Sequence, residues 1–324
     1  MKRLFSAIQP NGCIHLGNYI GAIKQWIKYQ NEYESIFCIV DLHALTTIYT
    51  NNTKLLNYIM STVALYLACG IDPLKTKVFI QSNVRYHTDL AWILGCSTPI
   101  GWLNRMTQYK SKSEKKYASS GLINYPILMA SDILLYNSDF VPVGDDQRQH
   151  IEFTKNIATK FNNKFRHVFK IPNSLVSNVG ARVMGLNNPE NKMSKSSAYQ
   201  KHHMINLLDS PHKITSSVMS AVTGNIDDKN TQDLPSGIKN LCNILMSLSN
   251  LILEYIKKNI LIRGYIYLKK VVISVILKTV VPIQSKYKKI VKNKNYIKDI
   301  LTVSEKEVNN ISEQSIKIIK NALR

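Results

Sequence analysis

The chain has no C-x-x-C pair and only five cysteines, scattered at Cys13, Cys38, Cys69, Cys96 and Cys242. An odd, dispersed set excludes a disulfide framework, and its spacing excludes a zinc ribbon or a C-x-x-C iron–sulfur site. No apolar run reaches the roughly 18 residues that span a bilayer. The most apolar stretch, Val271 to Ile283, is broken by Lys278 and preceded by Lys269 and Lys270, and reads as a buried helix. No repeat of fixed period occurs. The opening Met1-Lys2-Arg3 runs straight into a strand-like Leu4-Phe5-Ser6, with no room for a signal or transit peptide, so a cytoplasmic protein is expected. Acidic residues are also scarce, with 21 Asp and Glu against 42 Lys and Arg.

What remains is a globular composition. The 324 residues are 45% hydrophobic and 19% charged, enough for two compact domains, or one large domain with an appendage, around packed cores. The net charge of +21 suits a polyanion partner, of which nucleic acid is the commonest. Abundant Lys, Asn and Ile also fit a drift toward AT-rich codons, and charge alone does not separate the two readings.

The first two-thirds alternates short β-like runs with helical periods. Ile36 to Val40 is a continuous apolar run ended by Asp41, the pattern of a strand buried on both faces. Val78 to Ile80 and Phe140 to Val143 are similar. Between them Leu56, Ile59, Met60, Val63 and Leu67 recur at helical spacing, with Thr53 as N-cap and Gly70 as stop. Strands separated by helices predict a parallel sheet with helices on both faces. From about Gly237 the character is helical and Lys-rich. Val271, Val272, Val275 and Ile276 mark a helix expected to end before Pro282, and Ser304 with Glu307 forms a capping-box pattern for a last helix.

Two motifs carry chemistry. Gln9-Pro10-Asn11-Gly12-Cys13-Ile14-His15-Leu16-Gly17-Asn18 follows the first strand and feeds a helix starting near Asn18. Backbone N–H groups at such a start suit a phosphate, and Gly17 permits close approach. His15 and Asn18 can donate to phosphate oxygens. Lys192-Met193-Ser194-Lys195-Ser196 lies a domain's length later, with two lysines three apart among hydroxyl residues, able to wrap a polyphosphate. Asp132 stands in the apolar helix Ile127 to Leu135, where an acid is costly to bury without a partner.

Together the motifs resemble the HIGH and KMSKS sequences of the class I aminoacyl-tRNA synthetases, with Asn18 ending the first as is common in the tryptophanyl branch. Further stretches narrow the resemblance to that branch: Asn18 to Ala22, Asp41 to Ala44, Met106 to Lys110, Tyr125 to Tyr136, Val141 to Gln147 and Gly180 to Met184. They are dense from Arg3 to about Ser197 and thinner beyond. The resemblance implies an α/β fold: a Rossmann-type doubly wound parallel sheet with an all-helical C-terminal domain. The expected division is 1–196 for catalysis, with an inserted helical dimerisation segment at about 85–125, and 197–324 for tRNA and anticodon recognition.

The resemblance also implies roles. Gln9, Pro10, Asn11, Gly17 and Asn18 would line ATP, with His15 at the phosphates. Gly144, Asp145 and Asp146 would hold the nucleoside, although the family usually has Glu where Asp145 stands. Val183 would meet the adenine. Lys192 and Lys195 would hold the β- and γ-phosphates within the loop that includes Met193, Ser194 and Ser196, and Lys112 would reach the nucleotide on closure. Phe5, His43, Met129, Asp132, Val141 and Val143 would form the tryptophan pocket, with Tyr125 and Gln147 near the amino group. The substrates would be L-tryptophan, tRNA(Trp) and ATP with Mg²⁺, on a homodimer with no permanent metal and no membrane partner. Rival readings are a tyrosyl enzyme, a non-catalytic tRNA-binding paralogue and a small-molecule adenylating ligase. The lysines from Lys286 to Lys294 favour a tRNA partner over the last.

Overall fold

The computed structural model describes residues 1–46, 52–106, 119–144, 147–176, 182–194, 201–224 and 234–324. Five strands form one sheet: β1 (Arg3–Ile8), β2 (Glu34–Ile39), β3 (Thr76–Ile80), β4 (Phe140–Val143) and β5 (Asn173–Val176). All neighbours are parallel, in the order β3-β2-β1-β4-β5. This is the doubly wound arrangement, whose topological switch lies between β1 and β4. β5 has no apolar run to announce it; it is a four-residue edge strand, Asn-Ser-Leu-Val.

The apolar runs are continuous because both faces are covered. Leu4, Phe37, Ile39, Val78 and Ile80 enter one core cluster, and Phe5, Ile36, Cys38, Val40 and Phe79 the other, in strict alternation. The first cluster also takes up residues of the helices Lys24–Tyr29, Asn52–Cys69, Ser236–Ser249 and Tyr265–Lys292. The second takes up residues of the helices Tyr86–Ser97, Ser120–Leu134 and Arg148–Lys164. Trp26 anchors the first cluster, stacked on Phe37 at 4.6 Å and edge-on to Tyr66 at 5.3 Å.

Three local expectations fail, the last two because contacts elsewhere in the chain outweigh a local signal. The helix Asn52–Cys69 begins one residue before Thr53, which is therefore inside it; Gly70 does stop it, at φ +113°. The helix Tyr265–Lys292 continues through Pro282. The ring removes one N–H, but the next turns are held from outside: Gln284 Nε2 donates to the carbonyls of Leu207 and Asp209 at 2.8 Å, and Tyr287 shares a hydrogen bond with Ser61 at 3.0 Å. The last helix starts at Lys294, where Asn293 Oδ1 accepts from the Tyr296 N–H at 3.1 Å. Ser304 is mid-helix, and its hydroxyl accepts the Val78 N–H of edge strand β3 at 3.2 Å. That helix straddles the sheet edge, with Ile297, Ile300 and Leu301 in one core and Val308, Ile316 and Ile319 in the other.

Candidate active site

The turn after β1 is built by its own side chains. His15 caps the helix that opens at Leu16: its Nδ1 accepts the Asn18 N–H at 3.3 Å, and Asn18 Oδ1 accepts the His15 N–H at 3.2 Å. With Nδ1 accepting, a neutral ring carries its proton on Nε2, the donor a phosphate oxygen needs. Asn18 spends its carbonyl on the cap, and its amide NH₂ is what it can offer. A Cβ on Gly17 would come within 3.0 Å of His15 Nδ1 and 3.6 Å of Val183, so this glycine makes room for the capping ring. Residues from the second half hold the turn from outside: Leu16 N–H donates to Ile205 at 2.8 Å and Leu207 N–H to Ile14 at 3.0 Å.

Val183 to Met193 forms a hairpin beside it. Met193 N–H donates to the Val183 carbonyl at 3.0 Å and Gly185 N–H to the Asn191 carbonyl at 2.8 Å, with Met184 opposite Lys192. Gly185 lies under His203, whose ring would sit 2.2 Å from an added Cβ. Asn240, buried on the helix Ser236–Ser249, grips Met184 at both ends: it accepts from the N–H at 2.9 Å and donates to the carbonyl at 3.0 Å. Asn240→Leu leaves both backbone groups unpaired and should lower the melting temperature by a few degrees or more, since each such group costs roughly 1–3 kcal/mol. Thermal unfolding measures this; an unchanged melting temperature would show that the hairpin holds itself.

The turn and the hairpin meet over the carboxyl ends of β1 and β4. They enclose a cavity of about 560 Å³ lined by Gln9, Asn11, His15, Gly17, Asn18, Gly144, Gln147, Val183, Lys192, Met193 and Ser194, together with Ala7, Ile8, Gly21, Ala22 and Arg182. Its volume suits a nucleotide, and its place is the crevice where doubly wound sheets bind ligands. Pro10 is buried in the same turn. Lys112, Asp145, Asp146, Lys195 and Ser196 lie outside the described residues.

The expected tryptophan residues gather on the other side of β1. Phe5 and Val141 are in the second core cluster, and Met129 and Val143 pack against it. Asp132 is 1% exposed and has three partners. His43 Nε2 lies 2.8 Å from Oδ2, while Gln81 Nε2 and His87 Nδ1 lie 2.7 and 2.6 Å from Oδ1. Burial pushes its pKa up, but the bonds from His43 and His87 more than offset this and hold it down at about 2. Tyr125 sets its ring edge-on to His43 at 6.3 Å, shares a 2.6 Å hydrogen bond with His150, and has its phenol pKa raised by burial. Gln147 lines the cavity between β1 and β4. Sequence reading missed Gln81, His87 and Asn240; the available signal was a polar side chain at the end of an apolar run or within an apolar helical face.

A family model described as tRNA synthetases class I (W and Y) matches residues 1–261. A Helicobacter pylori protein named tryptophan–tRNA ligase is 50% identical over 89% of this chain and 89% of its own length. One of the same name from Clostridium tetani is 42% identical over 99% and 95%. Among solved structures, the tryptophanyl-tRNA synthetase of Campylobacter jejuni, complexed with ADP and tryptophan, superposes with a TM-score of 0.82 at 33% identity, covering 99% of each chain. With the two motifs meeting over a doubly wound sheet, this chain belongs to the class I tRNA synthetases, in the tryptophan and tyrosine group.

Proposed function

We propose that the cavity between β1 and β4 takes ATP and that the cluster around Asp132 takes the indole of L-tryptophan. The activity is that of a tryptophan–tRNA ligase: L-tryptophan is activated by ATP to tryptophanyl-adenylate with release of diphosphate, then transferred to the 3′ end of tRNA(Trp). The observation that carries the residue assignment is the meeting of the His15–Asn18 turn and the Val183–Ser194 hairpin over one nucleotide-sized cavity.

The first step needs no general base, because the amino acid's carboxylate is ionised at pH 7. It attacks the α-phosphorus and diphosphate leaves. The side chains position the groups and neutralise charge. His15, Asn18, Lys192 and Lys195 offset charge on the departing phosphates, with Mg²⁺ entering as part of the ATP substrate. Lys112 would join them on closure, and Gly144, Asp145 and Asp146 would hold the nucleoside. In the second step the activated carboxyl passes to the 2′-hydroxyl of the terminal adenosine. Pyrophosphate exchange with each of the twenty amino acids tests the reading: exchange should depend on tryptophan, and exchange driven best by tyrosine would overturn it.

The tRNA would lie along the helical 197–324 region, where Lys286, Lys288, Lys289, Lys292 and Lys294 are all exposed. No helix among the described residues is long and apolar enough to cross a membrane, and the cytoplasm is the compartment proposed. The segment at about 85–125 would pair two copies. Trp92 and Ile100, 77% and 71% exposed, flank an apolar cavity of about 720 Å³ that also touches Leu103 and Leu128. A homodimer should sediment near twice the 36.9 kDa chain mass at micromolar concentration, and a single-chain mass would remove this proposal.

A further inference from the structure

Asp132 is expected to read the indole N–H, yet three donors from this chain already occupy it. An ionised carboxylate only accepts, and its two oxygens offer about four lone-pair directions. His87 and Gln81 fill both directions on Oδ1, and His43 fills one on Oδ2. One direction on Oδ2 is left. The arrangement continues outward. Because His87 Nδ1 must donate to Asp132, a neutral ring accepts at Nε2 from the Tyr136 hydroxyl, 2.8 Å away. Burial holds that phenol protonated. Phe79 stacks on His87 at 5.8 Å and Phe5 on Tyr136 at 5.7 Å, so the chain of bonds runs between aromatic walls. Ser131 Oγ donates to the His87 carbonyl at 2.6 Å and fixes its backbone. Gln81 is fully buried, with its oxygen lacking a hydrogen-bond partner among the described residues. Turning the amide would set that oxygen against the carboxylate, so the anion decides how Gln81 lies.

We infer that His87 and Gln81 are positioning residues for amino-acid selection: they saturate Oδ1 of Asp132 and so aim the remaining lone pair of Oδ2 at the indole N–H. This rests on the tryptophan pocket proposed above. A carboxylate clamped on one oxygen cannot swing away to pair with its own donors when an analogue lacking N–H enters. The analogue then leaves one lone pair of a desolvated oxygen without its donor, which is how a hydrogen-bonding site rejects it. Tyr136 sets the His87 tautomer and acts one bond further out.

The test compares kcat/KM for tryptophan with kcat/KM for its benzothienyl analogue, in which sulfur replaces the indole N–H, by pyrophosphate exchange. His87→Leu and Gln81→Met should each lower the ratio about tenfold or more. His87→Asn, which places an amide donor near the Nδ1 position, should recover most of it. Tyr136→Phe, the mildest change, should lower it several-fold and keeps the test open if His87→Leu does not fold. KM for ATP without change and a melting temperature near that of the parent certify each variant. Equal losses for both amino acids, with the ratio intact, would reduce His87 and Gln81 to packing and overturn the inference. A parent enzyme that does not itself distinguish the two amino acids would instead strike at the pocket assignment.

Discussion

Asp132→Asn should lower kcat/KM for tryptophan about a hundredfold, while ATP affinity measured without tryptophan barely moves. The substitution keeps the shape and inverts one end of the chemistry. Whichever way the amide is turned, its NH₂ faces a donor: His87 and Gln81 on one side, His43 on the other. The cluster would therefore lose both its charge, which in the proposed pocket attracts the indole N–H, and the order of its own network. A residue that merely braced the helix Ser120–Leu134 would behave differently, with a lower melting temperature and equal losses for both substrates. The pH profile gives a second check. A carboxyl held at about 2 when folded, below its ordinary 3.8, contributes stability that is present above pH 4 and lost as pH falls toward 2. No acid limb above pH 5 in the tryptophan kcat/KM profile should then trace to Asp132. An unchanged tryptophan affinity in a folded Asp132→Asn protein would remove this residue from the site.

Lys192→Ala should lower kcat for tryptophan activation about a hundredfold or more and leave tryptophan affinity intact. Lys192 is paired across the hairpin to Met184 and lines the cavity proposed for ATP with an exposed side chain. Its charge matters most as diphosphate departs, so the loss belongs to the transition state rather than to ground-state binding. Lys195→Ala, three residues on, should follow the same pattern. Single-turnover measurement of adenylate formation separates the cases. A rise confined to KM for ATP would make the loop a ground-state clamp.

β1 to β3 were legible because they are buried on both faces and so write themselves as apolar runs, and β4 because Phe-Val-Pro-Val is apolar throughout, although only Val141 in it is fully buried. β5 was not, because an edge strand of four residues has too few apolar positions to stand out. The two stretches that meet over the cavity between β1 and β4 were legible because each is contiguous: a few residues of backbone with fixed side chains. The network around Asp132 was only half legible. The cost of burying the acid is local and can be read from its apolar neighbours. Its partners are not local: His87, Gln81 and His43 lie 45, 51 and 89 residues away. The sequence left the substrate as Asp132's evident partner, whereas the fold supplies three of its own. Ser304 misled for the opposite reason. It carries a cap's chemistry, a hydroxyl that accepts a backbone N–H, and spends it on a strand 226 residues earlier.

That bond between Ser304 and Val78 bears on how the protein is made. β3 emerges early in synthesis, and the helix that covers its open edge comes almost last. At roughly 5–20 residues per second, the 226 residues between them take on the order of 10–45 s to produce. Throughout that interval Thr76–Ile80, with Val78, Phe79 and Ile80 in sequence, presents an unpaired edge to other nascent chains. The period of greatest aggregation risk therefore falls on the ribosome rather than in the finished enzyme. A product cut short before Lys294 would carry the exposed edge permanently, and is expected to aggregate more readily than the full chain even though that helix contributes no lining residue to the cavity between β1 and β4.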